Sequence, residues 1–329
     1  MPNNKIESAI LVTGCAGFIA SRTAQLLLDQ GRQVVGIDNL NDYYDVRLKH
    51  HRLESLQANK GFTFYQQDLE DRQQLKKLFD DHPFESVLNL AARAGVRYSM
   101  ENPHVYMTTN AMGSLNLLEE MRHRKINKYV LASTSSLYAG QPMPFVETLP
   151  VNTPISPYAA SKKSAEMMAF AYHHLYGIDI SVVRYFTVYG PAGRPDMCIF
   201  RFIQWIDQEK PLQIFGDGTQ DRDFTYLDDI AMGTIAAMKP VGFETINIGG
   251  GQKPESLLDV IKKLEILLGK KAILEFHDMH PADIMSTSAD ISKAARLLDW
   301  QPKTGLDEGL KHCVDWYQNN LPWSAELKL

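Results

Sequence analysis

The chain has 329 residues, of which 44% are hydrophobic and 22% are charged, so it is large enough for one domain or two unequal lobes with a substantial core. Its net charge of −5 argues against a nucleic-acid-binding protein, which would present a basic face. No apolar run reaches the roughly 18 residues of a membrane span, and the start MPNNKIES lacks the apolar segment of a signal peptide. Three widely separated cysteines (Cys15, Cys198 and Cys313) are typical of a reducing compartment, so we expect a cytoplasmic protein.

The N-terminal stretch SAILVTGCAGFIASRTAQLLLDQGRQVVGIDNL predicts a strand, a helix and a second strand. Ile10–Val12 is a short apolar run without alternation, as expected of a parallel strand that is covered on both faces. Apolar residues at helical spacing follow it, the helix is expected to end near Gly31, and Val34–Ile37 forms the next strand. This order predicts a β-α-β unit.

The same alternation continues along the chain. Further buried strands are predicted at Phe62–Tyr65, Val87–Leu90, Tyr129–Ala132 and Ile180–Tyr185. The helical patterns between them are Arg72–Phe79, Ala111–His123 and Tyr158–Tyr176. Strands that alternate with helices in this way predict an α/β fold with a doubly wound parallel (Rossmann) sheet, whose ligands bind at the carboxyl ends of the strands.

After about residue 190 the alternation weakens. Short strand-like runs at Leu212–Phe215 and Thr245–Ile248 mix with amphipathic helices such as Glu255–Leu268, which Gly269 is expected to end. The pattern predicts a dinucleotide-binding domain over residues 1–190, with a returning segment near 225–250. Residues 191–329 are then expected to form a smaller, mostly helical lobe for the substrate.

The turn between the first strand and the first helix, TGCAGFIA (13–20), contains Gly14 and Gly17. Glycines let the backbone approach a pyrophosphate, whose charge the helix N-terminus meets. Asp38 ends the second strand, where its carboxylate would bond the adenosine ribose and repel a 2′-phosphate, so NAD is favoured over NADP. The competing interpretation is an ordinary turn with a capping aspartate. Asp68, after the third strand, is predicted either to contact the adenine or to cap the next helix.

The stretch SPYAASKKSAE places Tyr158 and Lys162 one helical turn apart on the same face. A free tyrosine has a pKa of about 10, and a lysine ammonium and a nicotinium ring beside it would both favour the phenolate. Tyr158 is therefore predicted to act as a base near neutral pH. The pattern Tyr-x-x-x-Lys is common by chance. It gains specificity here because it follows a dinucleotide loop and the stretch LASTSSLYAG (131–140).

With these motifs the chain resembles the extended short-chain dehydrogenases/reductases, and among them the nucleotide-sugar epimerase/dehydratase family, over nearly all of its length. The resemblance implies bound NAD and a catalytic set of Tyr158, Lys162 and Thr134, the last of which stands four residues before a Tyr in STSSLY. Ser135 and Ser136 are then expected on the substrate side. The cofactor-binding residues that it implies, besides Lys162, are Gly14, Gly17, Phe18, Ile19, Asp38, Asn39, Asp68, Leu69, Leu90, Ala91 and Ala92.

The loop after Thr134 separates reaction types within this family. Dehydratases that resemble this chain carry an Asp-Glu pair directly after the Thr, and UDP-glucuronate decarboxylases carry a Glu two residues after it. This chain has Ser135 and Ser136 instead, so both of these reactions are disfavoured.

Three segments resemble the UDP-glucuronate 4-epimerases of the family: RPDM (194–197), NDYYDVRLK (41–49) and AGVRYSMENP (94–103). The resemblance implies epimerisation at carbon 4 of UDP-glucuronate to UDP-galacturonate. Tyr158 would remove a proton while NAD takes a hydride, the 4-keto sugar would rotate, and the hydride would return to its other face. A UDP-glucose/UDP-galactose-type 4-epimerase, a UDP-glucuronate decarboxylase of the same fold and a non-enzymatic NAD-sensing module stay open as alternatives.

The stretch RYFTVYGPAGRPDM (184–197) follows a strand whose end points into the site of a doubly wound fold, so Thr187 and the next turn are expected to face the sugar. The planar guanidinium fork of arginine matches a carboxylate. Arg194 is therefore predicted to clamp the sugar carboxylate with Thr187, Ser135 and Ser136, and so to restrain a 4-keto acid from losing carbon dioxide. The competing interpretation is a surface arginine in a rigid turn.

The nucleotide end is predicted from IFGDGTQDRDFTYLDDI (214–230), which resembles the family segment that holds UDP. It implies Arg222 as the diphosphate partner, with Arg97 and Arg201 either helping it or serving structural roles. The histidines of HDMH (277–280) stand three apart without further ligands nearby, so no metal site is predicted.

An apolar stripe on two predicted helices points to self-association. In the family these helices form a four-helix interface, so a homodimer is expected. The stripe consists of Met112, Leu115, Leu118, Met167, Met168 and Phe170.

Overall fold

The computed structural model describes residues 8–279 and 284–328. Its strands, in chain order, are β1 (Ala9–Thr13), β2 (Val34–Asp38), β3 (Phe62–Gln66), β4 (Phe84–Asn89), β5 (Lys128–Thr134), β6 (Asp179–Tyr185), β7 (Thr187–Tyr189), β8 (Pro211–Phe215), β9 (Asp221–Arg222), β10 (Phe224–Tyr226), β11 (Phe243–Ile248), β12 (Glu255–Ser256) and β13 (Ile273–His277).

The helices complete the order of elements. They are α1 (Phe18–Asp29), α2 (Val46–Gln57), α3 (Arg72–Asp81), α4 (Val96–Glu101), α5 (Pro103–Tyr106), α6 (Gly113–Arg124), α7 (Pro157–Tyr176), α8 (Cys198–Asp207), α9 (Leu227–Ala236), α10 (Leu257–Leu268), α11 (Ser292–Leu298), α12 (Leu306–Asn319) and α13 (Leu321–Ser324). Met107–Met112 is a π-helix that continues into α6, and Ser135–Tyr138 forms a 3₁₀ turn after β5.

The central sheet has seven parallel strands in the order β11-β6-β5-β4-β1-β2-β3. The predicted doubly wound parallel fold is therefore confirmed. β1, β2 and β3 extend to one side and β4, β5 and β6 to the other, so the connections diverge between β1 and β4. A crevice opens at such a point, outside the carboxyl ends of the strands, and this is where ligands bind in folds of this kind.

Local sequence explains the two elements that matter most for the site. Every residue of β1, AILVT, is buried, as its apolar run without alternation predicts for a strand that helices cover on both faces. α7 begins where the Ser156 hydroxyl accepts the N–H of Ala159 and Pro157 occupies the first helical position. It ends at Gly177, whose φ of 71° is the left-handed conformation that glycine adopts without strain.

Residues after β7 build a second core. Apolar side chains of α8, α10 and α12 pack together with β8, and Leu48 of α2 joins them. β8 pairs in parallel with β13, while β11 returns to the central sheet beside β6. The division of the chain at residue 190, with a returning segment near 225–250, stays a prediction.

The helix predicted at Glu255–Leu268 begins two residues later than expected. The Ser256 hydroxyl accepts the N–H of Asp259 at 3.1 Å and so caps α10, which starts at Leu257. Glu255 and Ser256 are extended and pair antiparallel with β9, so the helical prediction for these two residues is wrong. Gly269 ends α10 with a φ of 65°, in agreement with the sequence.

The apolar stripe predicted for a dimer interface lies only partly on the surface. Met112, Met167 and Phe170 are 51%, 63% and 53% exposed, whereas Leu115 and Met168 are half-buried against the core. Leu118 is fully buried in the core beneath α6, so the prediction that it contributes to a dimer interface is wrong.

Within residues 8–279 and 284–328, no helix combines the length and the apolar character needed to cross a bilayer. The same residues contain no cluster of three or more His, Cys, Asp or Glu side chains that could bind a metal ion. Of the two histidines in HDMH, His277 ends β13, and His280 lies outside the described residues.

Candidate active site

An open cavity of about 780 Å³ lies at the carboxyl ends of the central strands and extends towards the second core. The residues predicted for the site all line it, although their roles stay predictions. They are Gly14, Gly17, Phe18, Ile19, Asp38, Asn39, Asp68, Leu69, Leu90, Ala91, Ala92, Arg97, Thr134, Ser135, Ser136, Tyr158, Lys162, Thr187, Arg194, Arg201 and Arg222.

The glycine turn allows a close approach of backbone to backbone. Gly14 has a φ of 68°, and a Cβ added to it would lie 2.7 Å from the Cα of Ala91. A Cβ on Gly17 would lie 2.8 Å from the carbonyl oxygen of Gly14. α1 begins at Phe18 with neither a capping side chain nor an acidic residue in its first turn. The turn and the helix N-terminus therefore fit the pyrophosphate of a dinucleotide.

Asp38 is buried at the end of β2, and both of its carboxylate oxygens have partners. Oδ2 accepts the N–H of Ala16 at 3.2 Å, and Oδ1 accepts the N–H of Leu40 at 2.8 Å. The ammonium of Lys49 lies 3.6 Å from Oδ1, with only 5% of the Lys49 side chain exposed. Burial lowers the pKa of Lys49, and the charge of Asp38 opposes this shift. A buried cation thus stands beside the carboxylate predicted to select the cofactor.

The next strand end contributes Asp68 to the same side of the cavity. The Asn39 amide donates to Oδ2 of Asp68 at 2.7 Å, which joins the loops after β2 and β3. The carboxylate of Asp71 accepts the N–H groups of Gln73 and Gln74 and is the N-cap of α3. The alternative interpretation of Asp68 as the helix cap is therefore wrong.

The predicted catalytic residues converge from two elements. Tyr158 and Lys162 stand one turn apart on α7, and Thr134 is the last residue of β5. The Lys162 ammonium donates to the carbonyl oxygen of Ala132 at 3.0 Å, which holds α7 against β5. The Thr134 hydroxyl donates to the Ser136 hydroxyl at 3.1 Å and accepts the N–H of Ser136 at the same distance.

Burial shapes the protonation of this cluster. It raises the pKa of Tyr158, and a hydrogen bond with Thr134 and the charge of Arg194 oppose the shift. Burial lowers the pKa of Lys162 to about 8, and the negative charge of Glu166 opposes this lowering. The chain alone therefore keeps Tyr158 protonated at neutral pH, and a base at this position requires further positive charge beside the phenol.

Arg194 follows β7 in the turn that was predicted to face the sugar. Its Nε donates to Oδ1 of Asp196 at 3.0 Å and its Nη2 to Oδ2 at 2.5 Å. The guanidinium carbon lies 5.6 Å from the ring centre of Tyr43 and 6.0 Å from that of Tyr44. The guanidinium fork thus already binds a carboxylate of the chain itself, which the sequence analysis did not anticipate.

Three arginines line the far end of the cavity. The Arg97 guanidinium lies 4.0 Å from the ring centre of Phe215, and that of Arg201 lies 4.5 Å from the ring centre of Trp205. Arg222 donates to the carbonyl oxygen of Asp221 at 2.7 Å. The planar donor set of a guanidinium group matches phosphate oxygens.

Comparison with known proteins assigns the family. Residues 10–249 match the NAD dependent epimerase/dehydratase family. The chain belongs to this family. A UDP-glucuronate 4-epimerase of Thermodesulfobacterium geofontis (strain OPF15) is 58% identical over 319 residues, which cover 97% of this chain and 99% of the relative.

Solved structures of epimerases share the fold over nearly the whole chain. The UDP-glucuronic acid 4-epimerase from Bacillus cereus, in complex with UDP-glucuronic acid and NAD, is 42% identical with a TM-score of 0.90, covering 95% of this chain and 99% of that one. The UDP-glucose 4-epimerase from Thermotoga maritima, with UDP-glucose, is 32% identical with a TM-score of 0.86, covering 95% and 99%. NAD is the cofactor of the family to which this chain belongs.

Sequence reasoning missed three cavity residues of this epimerase/dehydratase family member. Lys49 and Tyr43 lie in NDYYDVRLK, whose resemblance to the family does not by itself place either side chain in the site. Asp196 stands two residues after Arg194, in a turn whose geometry the sequence does not specify. The resemblance of their segment to the family was the signal available for Lys49 and Tyr43, whereas Asp196 had none beyond its place in the turn of Arg194.

Asp38 is expected to make the protein bind NAD at least about tenfold more tightly than NADP, because a 2′-phosphate would approach its buried carboxylate. In Asp38→Asn the ammonium of Lys49 loses its anion, so the preference for NAD should shrink or reverse. Titration of protein stripped of nucleotide measures both affinities. In the control Asp38→Asn/Lys49→Met the gain in NADP affinity should disappear, and equal affinities in the unaltered protein would contradict the assignment.

Proposed function

We propose that this protein catalyses the NAD-dependent epimerisation of UDP-glucuronate to UDP-galacturonate at carbon 4. One observation carries the proposal: a half-buried arginine fork, Arg194, lies in the same cavity as the Tyr158–Lys162 pair and is already paired with a carboxylate. A hexuronate carboxylate has the charge and shape that such a fork accepts. The similarity to the Thermodesulfobacterium geofontis and Bacillus cereus UDP-glucuronate 4-epimerases supports the same substrate.

The cofactor end fits NAD. The close packing of Gly14 on Ala91 leaves room for the pyrophosphate at the start of α1, and the buried Asp38 stands where the adenosine ribose would be bound. When bound, NAD supplies reversible hydride transfer with carbon 4 of the sugar and a positively charged ring that favours the phenolate of Tyr158. The chain's own residues account for the other parts of the reaction.

Tyr158 is the proposed base and acid. It takes the proton of the 4-hydroxyl when the sugar is oxidised and returns a proton when the sugar is reduced. Lys162 holds positive charge near the phenolate and is itself held by its bond to the carbonyl oxygen of Ala132. Thr134 lies beside Tyr158 and opposes the rise that burial causes in the pKa of the phenol.

The sugar carboxylate is proposed to lie against Arg194, Thr187 and the hydroxyls of Ser135 and Ser136, all of which line the cavity. Because Asp196 now occupies the fork, binding the substrate requires the guanidinium to exchange one carboxylate for another. Fixed donors on the carboxylate disfavour loss of carbon dioxide from the 4-keto acid. Ser135 and Ser136 stand where dehydratases and decarboxylases of the family carry acidic residues, which weighs against those two alternatives.

The diphosphate is proposed to bind at the far end of the cavity. Arg222 would be its main partner, and Arg97 and Arg201 are stacked on aromatic rings in positions that allow them to assist.

A second candidate function is epimerisation of a neutral UDP-hexose. The ion pair with Asp196 neutralises Arg194, so the sugar end carries no uncompensated charge from these two residues. The 32% identity to a UDP-glucose 4-epimerase agrees with such a substrate. Product analysis with UDP-glucuronate and UDP-glucose as separate substrates distinguishes the two functions.

We also infer a cytoplasmic homodimer. The exposed apolar side chains of Met112, Met167 and Phe170 support an interface formed by α7 and the end of the π-helix that precedes α6. The cysteines Cys15, Cys198 and Cys313 are free, as expected in a reducing compartment.

A further inference from the structure

A buried ion pair lies behind the cavity wall, next to the proposed catalytic residues. Glu166 stands on α7 one helical turn beyond Lys162, and Arg184 stands on β6. The guanidinium donates twice to the carboxylate, from Nε to Oε1 at 2.9 Å and from Nη2 to Oε2 at 2.8 Å. The two side chains are only 5% and 4% exposed.

The pair connects the elements that carry the proposed catalytic residues. The hydroxyl of Ser133, the residue before Thr134 in β5, donates to Oε1 of Glu166 at 2.6 Å. Nη1 of Arg184 donates to the hydroxyl of Tyr138 at 2.8 Å. Glu166 is therefore the point at which α7, β5 and β6 are held together directly behind the cluster of Tyr158, Lys162 and Thr134.

Stability alone gives little reason for two charges in this place. The cost of removing both ions from water offsets most or all of their attraction, and apolar side chains of similar volume are often as stable. The carboxylate has a second effect, because it stabilises the charged form of Lys162, whose pKa burial would otherwise lower further. Only a charged Lys162 favours the phenolate of Tyr158.

We propose that Glu166 is a positioning residue for this reaction, which holds α7 against β5 and keeps an anion one helical turn from the ammonium of Lys162. The inference rests on the proposed function, since it assigns Glu166 a role in the same site. The ion pair between Glu166 and Arg184 would then serve to position the catalytic residues as well as to pack the core.

Several charged or titratable groups face these residues. Tyr158 stands one helical turn from Lys162 on α7. Tyr43 and Arg194 act on the pKa of Tyr158. The groups around Glu166 are Lys163, Arg184 and Tyr138. The arginines stay charged, and burial raises the pKa values of Tyr43 and Tyr138, so none of these four groups titrates between neutral and mildly alkaline pH. Tyr158 is followed separately through its tyrosinate absorbance, so a change on the alkaline side of the activity profile is assigned to Lys162.

Glu166→Gln keeps the shape of the side chain and removes its charge. In the NAD-bound enzyme it is expected to lower kcat for UDP-glucuronate by about tenfold at neutral pH while KM changes little. Lys162 then loses its proton at lower pH. The pH at which kcat falls on the alkaline side of the pH–activity profile should therefore decrease by about one unit.

The matched control is Asp179→Asn. Asp179 pairs with Lys128 at 2.6 Å, at the opposite ends of the same two strands, β5 and β6. The Asp179→Asn variant removes one charge of a largely buried pair. It should therefore lower thermal stability about as much as Glu166→Gln does, while its pH profile stays unchanged. The inference is overturned if Glu166→Gln keeps the unaltered profile, or if Asp179→Asn shifts it equally.

A second variant covers the case in which Glu166→Gln leaves Arg184 unpaired and does not fold. Glu166→Gln/Arg184→Met removes both charges, and a shift in the same direction is expected, because it is the charge of Glu166 and not that of Arg184 that raises the pKa of Lys162. An unshifted profile in this folded double variant also overturns the inference.

Failure of the proposed function is distinguishable from failure of this inference. If the unaltered protein does not turn over UDP-glucuronate, the ionisation of Tyr158 in the NAD-bound protein is followed by tyrosinate absorbance, with Tyr158→Phe as the blank. Glu166→Gln should raise the pH at which Tyr158 ionises, and an unchanged value would count against the role of Glu166.

Discussion

Tyr158→Phe is expected to lower the turnover of UDP-glucuronate by about 10²-fold or more, the usual scale for the loss of a general base. The substitution keeps the ring, which packs near Tyr106 with centres 6.1 Å apart, and removes only the hydroxyl. NAD binding should therefore survive. Steady-state turnover of UDP-glucuronate, with NAD affinity measured in parallel, gives both quantities.

Tyr172→Phe provides a control on the same helix. Tyr172 lies in α7 far from the cavity, and its hydroxyl donates to Glu119. This variant also loses one phenolic hydroxyl but should keep full turnover. Near-normal activity in Tyr158→Phe would remove Tyr158 from the mechanism.

Arg194→Ala is expected to weaken UDP-glucuronate binding by about 1.5–3 kcal/mol, roughly 10- to 150-fold, the scale of hydrogen bonds to a charged group. Neutral UDP-hexoses should be much less affected, since they bring no carboxylate to the fork. The 4-keto acid would also be less restrained, so some UDP-pentose, lighter by one carbon dioxide, is expected among the products. Binding titrations and product masses measure these effects.

Two further variants test the exchange of carboxylates at this arginine. Asp196→Asn removes the carboxylate that accepts hydrogen bonds of 3.0 and 2.5 Å from Arg194, so the guanidinium fork is freed and UDP-glucuronate binding should tighten. Arg194→Lys should restore only part of the affinity, because an ammonium supplies charge without the two-point fork. Unchanged KM and rate in Arg194→Ala would make Arg194 a turn residue and leave the substrate assignment to similarity alone.

The parts of the fold that follow from local pattern could be predicted. The fully buried run of β1, the glycine turn before α1 and the spacing of Tyr158 and Lys162 each depend on neighbouring residues, and each is present as expected. The capping of α10 by Ser256 also depends on nearby residues. However, the polar residues Glu255 and Ser256 before this amphipathic helix are as compatible with a helix as with a strand. Only their pairing with β9 decides between the two.

The unpredicted features of the site are contacts between residues far apart in sequence or within an irregular turn. Lys49 becomes a buried neighbour of Asp38 because α2 packs beside the end of β2. The bond from Ser133 to Glu166 and the pair with Arg184 require β5, β6 and α7 to be assembled first. Such contacts have no periodicity along the chain, so pattern alone does not identify them.

Product analysis after incubation with UDP-glucuronate and NAD tests the central claim most directly. Chromatography is expected to resolve a second UDP-sugar of unchanged mass, UDP-galacturonate, which is also converted back when it is supplied alone. UDP-glucose under the same conditions should react much more slowly. A product lighter by one carbon dioxide, or conversion of UDP-glucose but not of UDP-glucuronate, would contradict the assignment.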